Sequence, residues 1–229
     1  MKRLFNLLAI ICWNSLFAFL EPSGSFFATP VVFKIPVQRI DFYDSSKFEW
    51  ITFFNEFTYV DIASVGPFGD VSILGRGLDF PYGGPYTKIR FIIHPDILVT
   101  ASTEVSPGGP IVRTNTGNPH TTFDGYTQLS VASTDPGLIS EEVVHIPIDQ
   151  VALPLLAIES IAPIDIDGIT YISKEMNLSS KSFFISSSKA MPKITIRYDL
   201  TNSVEFLFLR EHSVYVILPR EPKLRLLVD

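Results

Sequence analysis

Cysteine is almost missing from this chain of 229 residues, because its single cysteine, Cys12, lies within an apolar N-terminal run. Without a second cysteine the chain cannot close an internal disulfide, so packing alone has to hold the fold together. Histidine is also scarce, with four residues in all. The sequence has no Gly-x-Ser-x-Gly nucleophile motif and no phosphate-binding glycine loop. These absences leave enzymatic activity uncertain and favour a non-enzymatic role.

Basic residues are in the minority, since 18 Lys and Arg stand against 24 Asp and Glu, which gives a formal net charge of -6. A chain of this sign is repelled by nucleic-acid phosphates, so we expect no nucleic acid among its partners. Apolar residues are plentiful by contrast, with 46% hydrophobic residues, 19 Phe and 17 Pro. This composition argues against disorder and is typical of short aromatic-rich elements separated by turns.

Residues 1–20 predict export. Lys2 and Arg3 precede an uncharged, mostly apolar run at residues 4–20, the arrangement of a signal peptide. Because no well-formed small-x-small cleavage site follows the run, an uncleaved N-terminal anchor is the alternative. We therefore expect a periplasmic, cell-surface or secreted protein, which contacts a membrane only through this segment if the segment stays uncleaved.

Residues 29–229 predict a single β-rich domain, with a possible subdivision near 135–141. Short apolar runs recur between Gly- and Pro-rich turns, and few stretches have a long helical period. This alternation of short apolar runs and turns predicts an all-β fold, mainly an antiparallel β-sandwich of jelly-roll or immunoglobulin-like type, with at most one short helix. The predicted strands cover residues 31–42, 59–65, 87–94, 97–105, 126–132, 143–148, 152–158, 193–200, 204–209 and 214–218.

The first of these strands contains an interruption. Phe33, Ile35 and Val37 fall on one face by simple alternation, whereas Ile40 and Phe42 share a face only if the register slips by one residue. The pattern predicts either a strand with a bulge marked by Pro36 or an edge strand.

A short helix is predicted over residues 46–57. Ser46 and Glu49 have the spacing of a capping box, and aromatic residues follow at positions i, i+3, i+4 and i+7 of one helix face, which are Trp50, Phe53, Phe54 and Phe57. We expect this aromatic stripe to pack in the core and not to serve as a carbohydrate platform.

The clearest turn signal is Asp167-Gly168 between alternating apolar residues, which predicts a tight hairpin. A helix-loop-helix calcium site does not fit the same segment, because Pro163 and Lys174 stand at its first and last ligand positions. Asp165 and Asp167 remain weak candidates for an irregular calcium site. No cofactor is expected.

Candidate catalytic residues are few. If the chain is an enzyme, a secreted hydrolase with its site on the central Gly- and Pro-rich loops, the first candidates are His94, Asp96, His120 and Asp124. The acidic pair Glu141-Glu142 cannot place both carboxylates in one site, because neighbouring strand residues point to opposite faces.

The sequence favours an exported, non-enzymatic β-sandwich protein that acts through surface contacts, as an envelope-associated structural, adhesion or assembly subunit. Another protein or its own subunits are the expected partners, because so apolar a chain can have surface left for docking. The secreted hydrolase is one alternative. An outer-membrane β-barrel is the other, although prolines interrupt several of the candidate strands.

Overall fold

A computed structural model of the chain describes residues 24–64, 82–115, 120–123, 126–135, 137, 139–146, 161–178, 182–186, 194–210 and 213–228. At residues 120–123, 126–128, 145 and 224–228 it describes the backbone alone. The predicted leader at residues 1–20 and the predicted strand at 152–158 lie outside the described residues. The domain boundaries, including the subdivision near 135–141, stay predictions.

The described residues form strands and no helix, so the all-β prediction is confirmed. The strands are β1 (Ser25–Ala28), β2 (Val32–Asp44), β3 (Glu49–Phe54), β4 (Thr58–Asp61), β5 (Gly83–Ile93), β6 (Asp96–Thr100), β7 (Ser102–Glu104), β8 (Ile111–Arg113), β9 (His120–Phe123), β10 (Tyr126–Val131), β11 (Glu142–His145), β12 (Ile161–Ile166), β13 (Ile169–Asn177), β14 (Phe183–Ile185), β15 (Ile194–Asp199), β16 (Val204–Leu209), β17 (Val214–Pro219) and β18 (Lys223–Val228).

The larger sheet is organised around β2, which has 13 residues and pairs with four other strands. On one edge β3 and β4 follow each other along β2, and on the other edge β5 and β6 do the same. The outer edges of β5 and β6 then carry β14, β13 and β11, and β12 pairs with β13. All these pairings are antiparallel, so β2 sets the register of the whole sheet.

The predicted slip in this strand is confirmed. The pairing of β2 with β5 shifts register between Val37 and Arg39, which leaves Gln38 as the extra residue of a bulge. Val37 and Ile40 are consequently both buried, although three positions separate them. The bulge keeps the apolar residues of β2 on the core side along its full length.

The smaller sheet has the order β1-β16-β17-β10-β9, and β15-β18 and β7-β8 form two further two-stranded ladders. Buried side chains from both sheets belong to one hydrophobic cluster, which includes Phe42 and Ile89 from the larger sheet and Phe206 and Ile217 from the smaller. Each such side chain contributes about 1.5 to 3 kcal/mol by its burial. Both sheets keep open edges in the described part of the chain, so the fold is a sandwich not closed into a barrel.

The predicted helix at residues 46–57 is wrong, because β2 and β3 form a hairpin there with a loop at residues 45–48. The buried carboxylate of Asp44 accepts hydrogen bonds from the backbone N–H of Ser46 (2.9 Å), Lys47 (3.3 Å) and Gly84 (3.2 Å), and from the Ser46 hydroxyl (2.6 Å). Such a carboxylate satisfies a turn as readily as a helix start. The pairing of β3 with β2 then makes this segment a hairpin and not a helix.

The same carboxylate makes this turn rigid. Burial works to raise the pKa of Asp44, but its hydrogen bonds outweigh burial, so the pKa lies below its ordinary value. The carboxylate therefore stays charged and ties the hairpin loop to Gly84 at the start of β5.

The predicted Asp167-Gly168 turn is confirmed. Ile166 pairs with Ile169 across a two-residue loop, in which Asp167 and Gly168 have φ angles of 52° and 79°. A two-residue hairpin turn whose twist matches that of its strands requires positive φ at both central residues.

Phe48 has a strained backbone conformation, and we expect its replacement by glycine to stabilise the protein. It has a φ of 57°, a strained value for a bulky residue, and it is 81% exposed, so its side chain adds little packing in return. We expect Phe48→Gly to raise the free energy of unfolding by roughly 0.5 to 1 kcal/mol, measured by urea denaturation. Phe27→Gly is the control, because Phe27 is also exposed but lies in β1, where glycine weakens a strand. A loss of stability in Phe48→Gly would contradict the prediction.

Candidate functional site

His94 and Asp96 lie close together, His94 directly after β5 and Asp96 at the start of β6. The His94 backbone N–H donates to Pro36 O (2.9 Å), and the ring packs edge-on to Tyr171, with 5.8 Å between ring centroids. Nδ1 of His94 accepts a hydrogen bond from the Asp96 backbone N–H (3.2 Å). Nδ1 also lies 3.6 Å from Asp96 Oδ2, which is too long for a hydrogen bond. Asp96 does not orient His94 as the acid of a catalytic triad does.

The other two catalytic candidates stay predictions. His120 begins β9 in the smaller sheet, where only its backbone is described, and Asp124 lies outside the described residues. The structure therefore brings His94 and Asp96 together, and it leaves their convergence with His120 and Asp124 untested.

The candidate calcium ligands Asp165 and Asp167 lie at the turn of the β12–β13 hairpin. Asp165 Oδ1 accepts a hydrogen bond from the Thr170 hydroxyl (2.7 Å). Among the described residues, no group of three or more His, Cys, Asp or Glu side chains is placed to hold a metal ion. The two aspartates are therefore exposed carboxylates on a hairpin tip.

A more connected group of side chains lies on the face of the larger sheet that points away from the core. Alternation puts Ile40 and Phe42 of β2 in the core, so the residues between them face the other side. There they meet side chains from β3 and β5. We call this group the outer cluster, defined as Arg39, Asp41 and Tyr43 of β2, Trp50 of β3, and Lys88 and Arg90 of β5.

Asp41 is the centre of the outer cluster and is only 1% exposed. Its Oδ2 accepts hydrogen bonds from Arg90 Nη2 (2.6 Å) and Nε (3.0 Å). Arg39 Nε lies 3.2 Å from Asp41 Oδ1, yet neither of these two buried atoms has a well-aligned hydrogen bond. Two guanidinium groups thus share one carboxylate, and only Arg90 binds it with good geometry.

Aromatic rings support the cations of the outer cluster. The Arg90 guanidinium lies 4.2 Å from the centroid of the Trp50 ring, and Lys88 Nζ lies 5.4 Å from that of Tyr43. The two rings contact each other with centroids 5.2 Å apart. Each cation over a ring gains roughly 0.5 to 1 kcal/mol at a partly exposed site. Asp41 and the Trp50 ring therefore hold Arg90 in position, and the Tyr43 ring supports Lys88.

The charges of the outer cluster do not cancel. Lys88 Nζ lies 3.9 Å from Glu175 on β13, so Arg39, Lys88 and Arg90 face the two carboxylates of Asp41 and Glu175. One positive charge is left over on a chain whose formal net charge is -6. Arg39 and Arg90 keep 24% and 15% of their side chains exposed, so a partner can reach them.

Sequence reasoning missed the outer cluster because it placed Trp50 in a helix whose aromatic stripe packs in the core. Phe53 and Phe54 do pack against the core, whereas Trp50 is half-buried on the opposite face. The alternation that continues from β2 into β3 was the signal that could have found it.

Glu141 and Glu142 point to opposite faces, as predicted. Glu141 forms an ion pair with Lys34 (2.6 Å), whereas Glu142 is 3% exposed, and its Oε2 has no hydrogen-bond partner among the described residues. Burial alone raises the pKa of Glu142 to about 7. Its strand also links the two sheets, because the Ser130 hydroxyl of β10 donates to Val143 O (2.8 Å). Glu142 therefore puts a titrating carboxyl at this junction.

Comparison with known proteins gives no family for the chain, because no family model, no curated protein and no solved structure matches it significantly. In the part of the chain that the structure describes, no helix is long and apolar enough to cross a membrane.

Glu142 predicts a pH dependence of stability. The unfolded chain loses this proton near the ordinary pKa of 4.5 and the folded chain near 7, so the folded state binds more protons between these values. The free energy of unfolding should fall as pH rises from about 4.5 to 7 and then level off. Glu142→Gln should remove this fall and be more stable than the wild type at pH 8 by about 1 to 3 kcal/mol, in urea denaturation across pH.

The control for this experiment is Glu104→Gln, at an exposed carboxyl of β7. It should leave the pH profile unchanged. Equal profiles for Glu142→Gln and the wild type would show that Glu142 is not the titrating group.

Proposed function

We propose that this protein is an exported, non-enzymatic β-sandwich that acts through surface contacts, as an envelope-associated structural, adhesion or assembly subunit. We further propose that the outer cluster is its contact surface. The observation that carries this proposal is a pair of guanidinium groups sharing one buried carboxylate, with one of them also fixed over an indole ring. This arrangement is ordered in advance and still carries an excess positive charge.

The residue types of the outer cluster support a binding role. Arginine, tyrosine and tryptophan are the residues most enriched among those that dominate the energy of protein interfaces. A guanidinium held by Asp41 and Trp50 loses little conformational entropy when a partner binds, so more of the interaction energy appears as affinity. The partner in this proposal is another protein or a further subunit of the same kind.

Export rests on the sequence. Lys2 and Arg3 followed by the apolar run at residues 4–20 form a leader, and a chain with one cysteine folds without disulfides in any compartment. The experiment is fractionation of cells that express the full chain, followed by N-terminal sequencing. We expect the protein outside the cytoplasm, with the leader removed or serving as an anchor. Deletion of residues 2–20 should retain it in the cytoplasm, and an unchanged distribution would contradict export.

The contact surface is tested by co-sedimentation of the purified protein with cell envelopes. Arg39→Glu combined with Lys88→Glu should lower the bound fraction about tenfold, because it replaces two cations of the outer cluster by carboxylates. Lys223→Glu with Arg210→Glu is the matched control, since both residues are exposed and lie outside the cluster. Equal binding by the cluster variant and the wild type would refute the outer cluster as the contact surface.

A further inference from the structure

We propose that the outer cluster binds the β12–β13 turn of a second copy of this chain, so that copies associate head to tail. This inference rests on the proposed function and names its partner. The turn presents the carboxylates of Asp165 and Asp167 and, beside them, the side chain of Ile169, which is 49% exposed. The outer cluster presents the complementary chemistry of guanidinium groups beside aromatic rings.

Charge is the first argument for this occupant. The outer cluster together with the neighbouring Glu175 has one positive charge in excess, and the turn supplies two negative charges. Arg39 is the group that receives them, because 24% of its side chain is exposed, whereas Nε and Nη2 of Arg90 already donate hydrogen bonds to Asp41. A partner carboxylate would pair with the exposed part of this guanidinium.

Geometry is the second argument, because the turn cannot reach the outer cluster of its own chain. Arg90 lies directly opposite Glu175 on β13, and Asp167 is eight positions further along that hairpin. At the usual rise per strand residue this places the tip roughly 26 Å from Arg90. The cluster and the turn are thus too far apart to touch within one molecule, and their pairing joins two different molecules.

A contact between two different surfaces does not close on itself as a symmetric dimer does. Each copy keeps one free turn and one free cluster, so the association can continue into rings or filaments. A turn-sized contact is small and weak, and we expect association at protein concentrations on the order of 0.1 mM, decreasing as salt screens the charges.

The experiment is sedimentation velocity on the full chain over a concentration series. The wild type should show a sedimentation coefficient that rises with concentration, whereas Arg39→Glu and the double variant Asp165→Lys/Asp167→Lys should each remain monomeric. Mixing these two variants provides the decisive arm. The unaltered turn of the Arg39→Glu chain can then bind the unaltered cluster of the lysine variant, and the new carboxylate of the first chain can meet the lysines of the second. The mixture should therefore form mixed assemblies, although each variant alone is monomeric. Lys223→Glu, at an exposed lysine of β18, should associate like the wild type.

A strictly monomeric wild type would overturn the inference, and so would a wild type whose association Arg39→Glu leaves unchanged. Failure to recover mixed assemblies from the mixture would exclude the turn as the occupant. If the wild type is monomeric but envelope binding still depends on Arg39 and Lys88, the proposed function stands and its partner is a different protein. If the cluster variants bind envelopes normally as well, both proposals fail.

Discussion

The alternation of β2 is the constraint on which the rest of this structure depends. One face of this strand supplies Phe42 to the core and the other supplies Asp41 to the outer cluster, so a register error of one residue would exchange the two. The bulge at Gln38 corrects the alternation between the two halves of the strand. Because β3, β4, β5 and β6 all pair with β2, each of them inherits its assignment of faces.

Because Asp41 is buried, the outer face of the larger sheet also affects the stability of the fold. A carboxylate that is 1% exposed is costly unless it is paired, and removing the partner of such a charge costs about 3 to 5 kcal/mol. Arg90 is therefore needed for the stability of the fold, because it donates two hydrogen bonds to Asp41. Arg39 Nε donates none. The two arginines look equivalent in sequence, but Arg90 binds Asp41 through two hydrogen bonds, whereas Arg39 contacts it only as an ion pair.

Local pattern made the strands, the bulge and the Asp167-Gly168 turn predictable, because each depends on residues within a few positions of one another. The hairpin at residues 45–48 was not predictable in the same way, since Asp44 and the residues after it satisfy a turn or a helix start equally well. The outer cluster depends on pairings over long separations, with 49 positions between Asp41 and Arg90. Alternation assigns each residue a face, but strand order and register decide which residues meet.

The edge strand β12 is protected against pairing with another strand, so the proposed contact between copies uses side chains. In the described part of the chain β12 is an edge strand that pairs only with β13, and it carries Pro163, which has no N–H to donate, and the charged Asp165. Both features oppose the addition of another strand. The hairpin whose edge opposes backbone pairing still exposes two carboxylates at its tip, so the proposed association through it would depend on charge and be weakened by salt.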